Sequence, residues 1–480
     1  TEDIFNISVK ILKICNASIV KPLTEIINAC LMQGHFPSKL KTAKIIPIYK
    51  KGNINELKNY RQISILPAFS KVFETVISNQ LLKFFEKHGI FTSEQYGFRK
   101  GLSTIDAVLS LVNYVKQSFE QKQACCAIFT DLTSAFDCVD HNILLYKLEY
   151  YGVKGKCIEM LTSYLSERTQ HVVINDKASQ EGKILRGVPQ GSILGPILFL
   201  VYINDLAINM SQTNHTVMYA DDTSFCVSVD KEQNNDQVSQ NTIESAGIWF
   251  AANKFVLNKN KTDIMEFQNC NVKADNEIKF LGLYLDNRLS WNAHIEHICN
   301  KLSCAVYAIR KIKVTINEKA ALLTYYALFH SILNYGVVIW GDAAFTCLQK
   351  AFVLQKAAIR AIATANYNAT CRNLFTKYKI MTLYSMIVFE KLICVKKNIS
   401  AYPVMSEKHR YSTRRNQDLF IPKVRLKKTE NIGLRFYNAL PLSIRDADIR
   451  VFKNTLKDIL KKNSLYDLDA FYNIDFNLYA

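Results

Sequence analysis

The sequence predicts an α+β protein of more than one folding unit, and three observations carry that reading. Between Thr216 and Val227, two β-prone apolar arms, Val217-Met218-Tyr219 and Thr223, Phe225, Val227, flank the adjacent pair Asp221-Asp222. A second apolar stretch, Cys125 to Thr130, reads as a buried strand that ends in Asp131. Around both lie stretches with helical spacing of apolar residues, at 1–32, 69–86, 193–206, 241–252 and over most of 294–363. At 480 residues the chain exceeds one ordinary domain. Its 49% hydrophobic and 21% charged residues supply enough apolar surface for folded cores rather than disorder.

In chain order, an amphipathic helical stretch over 1–32 stops at Gly34-His35-Phe36-Pro37. A basic extended run, Lys39 to Asn53, has a strand-like centre and ends in the turn Lys50-Lys51-Gly52-Asn53, whose lysines could hold phosphates. Arg61 in Asn59-Tyr60-Arg61-Gln62 carries a planar cation suited to phosphate oxygens. The turn Gln95-Tyr96-Gly97-Phe98-Arg99-Lys100-Gly101 interleaves aromatic and basic residues, a combination that suits stacking and backbone contact with nucleic acid. After Asp131, Leu132-Thr133-Ser134-Ala135-Phe136-Asp137-Cys138-Val139-Asp140-His141 turns into a helix. Arg186 to Ser192 is a glycine-rich turn opening an apolar helix; Gly187, Pro189 and Gly191 let backbone pass close to a ligand, and Gln190 can donate and accept. Ile278 to Leu285 reads as one strand. Thr315-Ile316-Asn317-Glu318 reads as a capping box opening a later helix.

The net charge of +18 points to a polyanionic partner, and it is lopsided. Residues 1–300 carry +1 and residues 301–480 carry +17, with a basic zone at Arg410, Arg414, Arg415, Lys423, Arg425, Lys427 and Lys428. No run of 18 or more apolar residues predicts a membrane span. No secretory signal opens the chain, so an intracellular site is expected; Thr1 in place of Met fits a piece of a longer product. The 13 cysteines, odd in number and scattered, fit reduced thiols. His294, His297, Cys299 and Cys304 match no common zinc spacing.

Taken alone, Asp221-Asp222 suits either an ordinary hairpin turn or a metal site. Asp131 can join the pair if its strand neighbours the hairpin. Three carboxylates at one spot repel, and two divalent cations about 3.5–4 Å apart would neutralise them. Two such ions suit nucleotidyl transfer onto a primer 3′-hydroxyl, with the basic turns holding a triphosphate.

The ordered series Asn59-Tyr60-Arg61, Gln95-Tyr96-Gly97-Phe98-Arg99, Asp131 to His141, Gly187-Val188-Pro189-Gln190-Gly191-Ser192 and Tyr219-Ala220-Asp221-Asp222 resembles the reverse transcriptases of non-LTR retrotransposons, jockey and CR1-type elements above all. Farther on, Phe280-Leu281-Gly282, Leu289-Ser290-Trp291 and Ser331 to Gly341 resemble later blocks of the family. The resemblance implies a right-hand polymerase. An N-terminal helical extension would cover 1–30, and fingers and palm with an antiparallel sheet 31–286. A helical thumb would cover 287–365, and a basic, nucleic-acid-binding C-terminal region 366–480.

For the site, the resemblance implies a catalytic metal triad of Asp131, Asp221 and Asp222, joined by the Leu132 backbone carbonyl, around two Mg²⁺ with Mn²⁺ as the alternative ion. Lys50, Lys51 and Arg61 would grip the dNTP phosphates, Gln190 and Gly191 would line the nucleotide, and Phe136 would exclude a ribose 2′-hydroxyl. Lys261 would protonate pyrophosphate and Arg99 would touch the template. The implied partners are an RNA template, a DNA primer or target, dNTPs, and an endonuclease from a missing N-terminal part or another protein. The implied setting is the nucleus and a cytoplasmic ribonucleoprotein. Two departures stand out: Gln62 replaces a usual proline and Ser134 a common lysine. The competing readings are an RNA-dependent RNA polymerase or intron maturase, and a decayed or domesticated RNA-binding protein.

Overall fold

The computed structural model describes residues 2–132, 134–210, 214–230, 234–258, 261–268, 276–408, 416–422 and 429–479. The basic residues Arg410, Arg414, Arg415, Lys423, Arg425, Lys427 and Lys428 lie outside them. The chain divides into two compact units, one of residues 1–107 and 126–264, the other of 108–125 and 265–480.

In the first unit, the N-terminal stretch forms Val9–Ile14 and then helix α1 (Asn16–Gln33), closed by Gly34 in the left-handed conformation. Strands β1 (Thr42–Tyr49) and β2 (Tyr60–Ile65) pair antiparallel, with Ile48 opposite Arg61 and Tyr49 opposite Tyr60. Helix α2 (Ala68–Lys87) follows. Strand β3 (Ala124–Thr130) is almost wholly buried, as its unbroken apolar run requires. Next come α3 (His141–Tyr150), α4 (Lys156–Leu165) and β4 (Arg168–Ile174), the last parallel to β1. Helix α5 (Leu194–Ile203) is apolar on every side and nine of its ten residues are buried, so it forms the centre of the core. Phe73, Phe85, Leu148, Tyr164 and Phe250 are buried in the same cluster. Strands β5 (His215–Tyr219) and β6 (Asp222–Val229) form an antiparallel hairpin, and α6 (Asn235–Ala252) packs behind it. In the sheet, β6 lies between β5 and β3, which makes the Asp131 strand the hairpin's direct neighbour.

In the second unit, Ile278 to Leu285 is two strands rather than one. Glu277–Phe280 and Leu283–Asp286 pair antiparallel about Leu281-Gly282, both at positive φ. A tight turn hides inside an apolar run because only the glycine signals it. The buried Asp286 carboxylate then accepts from the Arg288, Ser290 and Trp291 amides, which fixes the turn into the helix Asn292–Thr315. Tyr335 Oη donates to Leu281 O, and the Gly336 Cα sits where an added Cβ would meet Leu283. The capping residue of the next helix, Glu318–Thr324, is Asn317, whose side chain accepts from Ala320 N. Thr315 instead ends the preceding helix and donates to Lys311 O, so the cap lies two residues later than the sequence pattern places it. Inside this unit the buried Asp342 pairs with Lys391 at 2.6 Å and Lys116 at 3.0 Å.

Candidate active site

The Asp221-Asp222 pair stands on a tight hairpin turn of the first unit. Tyr219 pairs with Asp222, leaving Ala220-Asp221 as a two-residue loop with Ala220 at φ +58°. A non-glycine residue pays for that backbone, and such strain persists where surrounding contacts hold it. Here they do. Gln95 Oε1 accepts from Ala220 N at 3.1 Å and from Gly97 N at 2.7 Å, while Tyr96 N donates to Met218 O and Met218 N to Glu94 O. A Cβ on Gly97 would lie 2.4 Å from Ala220 N, so only glycine lets this turn seat against the hairpin.

Asp131 leaves the end of β3 beside the hairpin, with Thr130 Oγ1 donating to Thr223 O across the strands. Its carbonyl accepts from Asn258 N, and the buried Leu132 bridges to Leu257. Lys261 Nζ lies 2.7 Å from Asp131 Oδ2, a cation already drawn to this carboxylate.

The three carboxylates share one field. Burial pushes the Asp222 carboxyl up to about 6, helped by the charges of Asp221 and Asp131 and opposed by Lys50. Asp221 is also raised, first by burial and then by Asp131, while Lys50 and Arg61 pull it down. Lys50 and Arg61 therefore reach the site electrostatically, brought there by the β1–β2 pairing and by the Lys50 N to Asn59 O hydrogen bond at its open end. Lys51 is exposed on the same turn. Among the described residues no three His, Cys, Asp or Glu side chains converge closely enough, as placed, to ligate one ion. The donor set still fits a hard divalent cation on chemical grounds. Its side chains offer carboxylate oxygens, and the Asp221 and Asp222 carboxyls hold protons more tightly than usual because they are buried and crowded by one another and by Asp131, against the pull of Lys50 and Arg61.

A consequence can be measured without activity. Because the folded Asp222 carboxyl titrates near 6, above its ordinary 3.8, the folded state binds more protons across that interval and loses stability as pH rises through it. In EDTA, Asp222→Asn should therefore raise the melting temperature relative to wild type at pH 7.5 and leave it nearly unchanged at pH 4. Mg²⁺ should raise the wild-type value at pH 7.5 and shrink the variant's advantage. An advantage equal at both pH values would contradict this electrostatic picture.

Phe136 stacks on the buried Phe199 at 4.4 Å and meets the exposed Phe98 edge-on at 6.5 Å. The 187–192 turn is tied to this segment: Val188 N donates to Phe136 O, Gly187 N to Val139 O, and Gln190 Nε2 to both oxygens of Asp137. Gly191, at φ +125°, passes so close to β2 that a Cβ would lie 2.5 Å from Ser64 O. Arg99 is folded back on its own turn, donating to Thr92 O at 2.6 Å and lying over the Phe91 ring. Two residues bearing on the site have no role assigned from the sequence. Glu74, fully buried on α2, accepts from Ile193 N at the start of α5, and Asp137 holds Gln190. A glutamate on the apolar face of a helical stretch was the available signal for the first.

Residues 48–285 match the family model described as reverse transcriptase (RNA-dependent DNA polymerase). The chain is 30% identical over 391 residues to the "Probable RNA-directed DNA polymerase from transposon BS" of Drosophila melanogaster, covering 74% of this chain and 42% of that protein. It is 28% identical over 384 residues to the "RNA-directed DNA polymerase from mobile element jockey" of the same species, covering 75% and 42%. The chain thus spans less than half the length of these relatives. Among solved structures, apo telomerase from Candida tropicalis aligns with a TM-score of 0.43 at 14% identity, over 80% of this chain and 71% of that one.

Proposed function

We propose, on the premise that this chain belongs to the reverse transcriptases of non-LTR retrotransposons, that it extends a DNA primer on an RNA template. The observation that carries this reading is the sharing of one electrostatic field by Asp131, Asp221 and Asp222, beside the cations of Lys50 and Arg61. Asp131, Asp221 and Asp222, with the Leu132 backbone carbonyl, would hold two divalent cations, Mg²⁺ or in its place Mn²⁺. Such ions, when bound, would lower the pKa of the attacking 3′-hydroxyl and offset the charge that builds up on the departing pyrophosphate.

The chain's own residues supply the rest. Lys50, Arg61 and Lys51 bind the triphosphate of a dNTP. Gln190 and Gly191 line its base and sugar, and Phe136 closes the space a 2′-hydroxyl would need. Lys261 gives its proton to pyrophosphate, a role supported by its position beside Asp131. Arg99 reaches the template through the turn it braces. Fingers and palm span 31–286, the thumb 287–365, and the basic remainder holds nucleic acid, with residues 1–30 as an extension. An endonuclease acts from elsewhere in the full protein or from a partner, and the setting is intracellular, in nucleus and cytoplasmic ribonucleoprotein.

The test compares dNTP with rNTP incorporation on an RNA template. Wild type should prefer dNTPs. Phe136→Val should raise rNTP incorporation by about 10–100-fold, the worth of a removed steric contact of ~1–3 kcal/mol, with dNTP use reduced much less. Equal use of both nucleotides by wild type would favour an RNA polymerase instead.

A further inference from the structure

Gln190 is held by an unusual partner for its role. Its Nε2 lies 3.1 Å from Asp137 Oδ1 and 3.2 Å from Oδ2, and the two residues come from chain segments 53 positions apart. The backbones beneath them are locked together. Gly187, at φ +88°, stands where a Cβ would lie 2.8 Å from Asp137 O, and Val188 N donates to Phe136 O at 2.9 Å. On the far side, Gln190 O accepts from Ser64 N at 2.8 Å. The other acids of the segment are already committed: Asp131 to Lys261, and Asp140 to Lys254 and to capping α3. Asp137 is the one turned to Gln190.

A carboxylate only accepts, so an amide facing it must present nitrogen. That fixes which end of the Gln190 side chain points away from Asp137. We propose that Asp137 is a positioning residue that locks the Gln190 amide with its carbonyl oxygen turned outward, as a fixed acceptor for the incoming nucleotide. The proposal rests on the polymerase reading and on Gln190 lining the nucleotide. Burial pushes the Asp137 carboxyl above its ordinary range, while the hydrogen bonds from Gln190 pull it back. The side chain keeps an edge open to water, so the lock is worth a modest factor rather than orders of magnitude.

Steady-state primer extension with the full chain, titrating one dNTP, tests this. Asn at 137 offers both a donor and an acceptor, so it satisfies either orientation of the Gln190 amide. Asp137→Asn should raise the KM for dNTP about fivefold with kcat within about twofold. Gln190→Ala should raise it at least as far, and the double variant should be no worse than Gln190→Ala alone. A purely structural role would lower kcat or the melting temperature, and would add to the Gln190→Ala loss. Unchanged KM in Asp137→Asn, or additive losses in the double variant, would overturn the proposal. If Asp137→Asn fails to fold, Gln190→Ala decides: an unchanged KM there overturns it equally. Absence of extension by wild type overturns the polymerase reading first, and this inference with it.

Discussion

Asp221→Asn should lower primer extension on an RNA template by a thousandfold or more (on the order of 4 kcal/mol of transition-state stabilisation), while RNA binding stays within about twofold. The asymmetry follows from where Asp221 stands. It occupies the second position of a two-residue turn, and its backbone is held through Ala220 by Gln95 and Gly97. An isosteric amide keeps that backbone and removes one negative charge from the shared field. Because Asp221 and Asp131 both raise the Asp222 carboxyl, the loss also lets Asp222 ionise more readily, so the metal-free variant should fold at least as stably as wild type. Activity lost together with stability would indicate a structural role. Activity lost alone is the catalytic result.

Glu74→Ala is the second large effect, and it acts through stability. Glu74 accepts from Ile193 N at 2.6 Å, Ser70 Oγ at 3.0 Å and Tyr164 Oη at 3.3 Å, with no exposure to water. Burial pushes the Glu74 carboxyl up, while the Ile193 amide and the charge of the buried Arg168, whose Nε and Nη2 have no hydrogen-bond partner among the described residues, pull it back. Removal orphans several buried donors and leaves a guanidinium uncompensated. We expect a loss of about 3–5 kcal/mol, or roughly 6–20 °C in melting temperature for a unit of this size. Ser70→Ala, which removes one donor and leaves the rest, should cost about 1 kcal/mol or less. Equal losses for the two would mean that Glu74 contributes by packing alone.

The parts legible in the sequence were those with short-range grammar. The hairpin arms, the buried strand ending in Asp131 and the apolar helix after Ser192 each carry their pattern within a dozen residues. Their meeting depended on one assumption, that the Asp131 strand lies beside the hairpin, and the strand order bears this out. What stayed hidden depends on partners far away in sequence. Glu74 meets Ile193 across 119 positions and Asp137 meets Gln190 across 53, and no local pattern encodes either. The strand Arg168–Ile174 has weak alternation and is organised by pairing with β1. Errors of the opposite kind arose where propensity outweighed a turn. Leu281 takes a positive φ inside an apolar run, and Asn317 caps a helix that the Thr315 pattern claims. Arg99, by contrast, shows how a cation can serve its own turn's carbonyls before it serves a ligand.

The central claim is that the Asp131, Asp221 and Asp222 carboxylates are a cation-dependent polymerase centre. Primer extension by the purified chain, with an RNA template, a DNA primer and dNTPs, in Mg²⁺ and then in EDTA, tests it most directly. Extension is expected in Mg²⁺, none in EDTA, and restoration when the ion is returned. A folded, RNA-binding protein that extends nothing in Mg²⁺ or Mn²⁺ would contradict it.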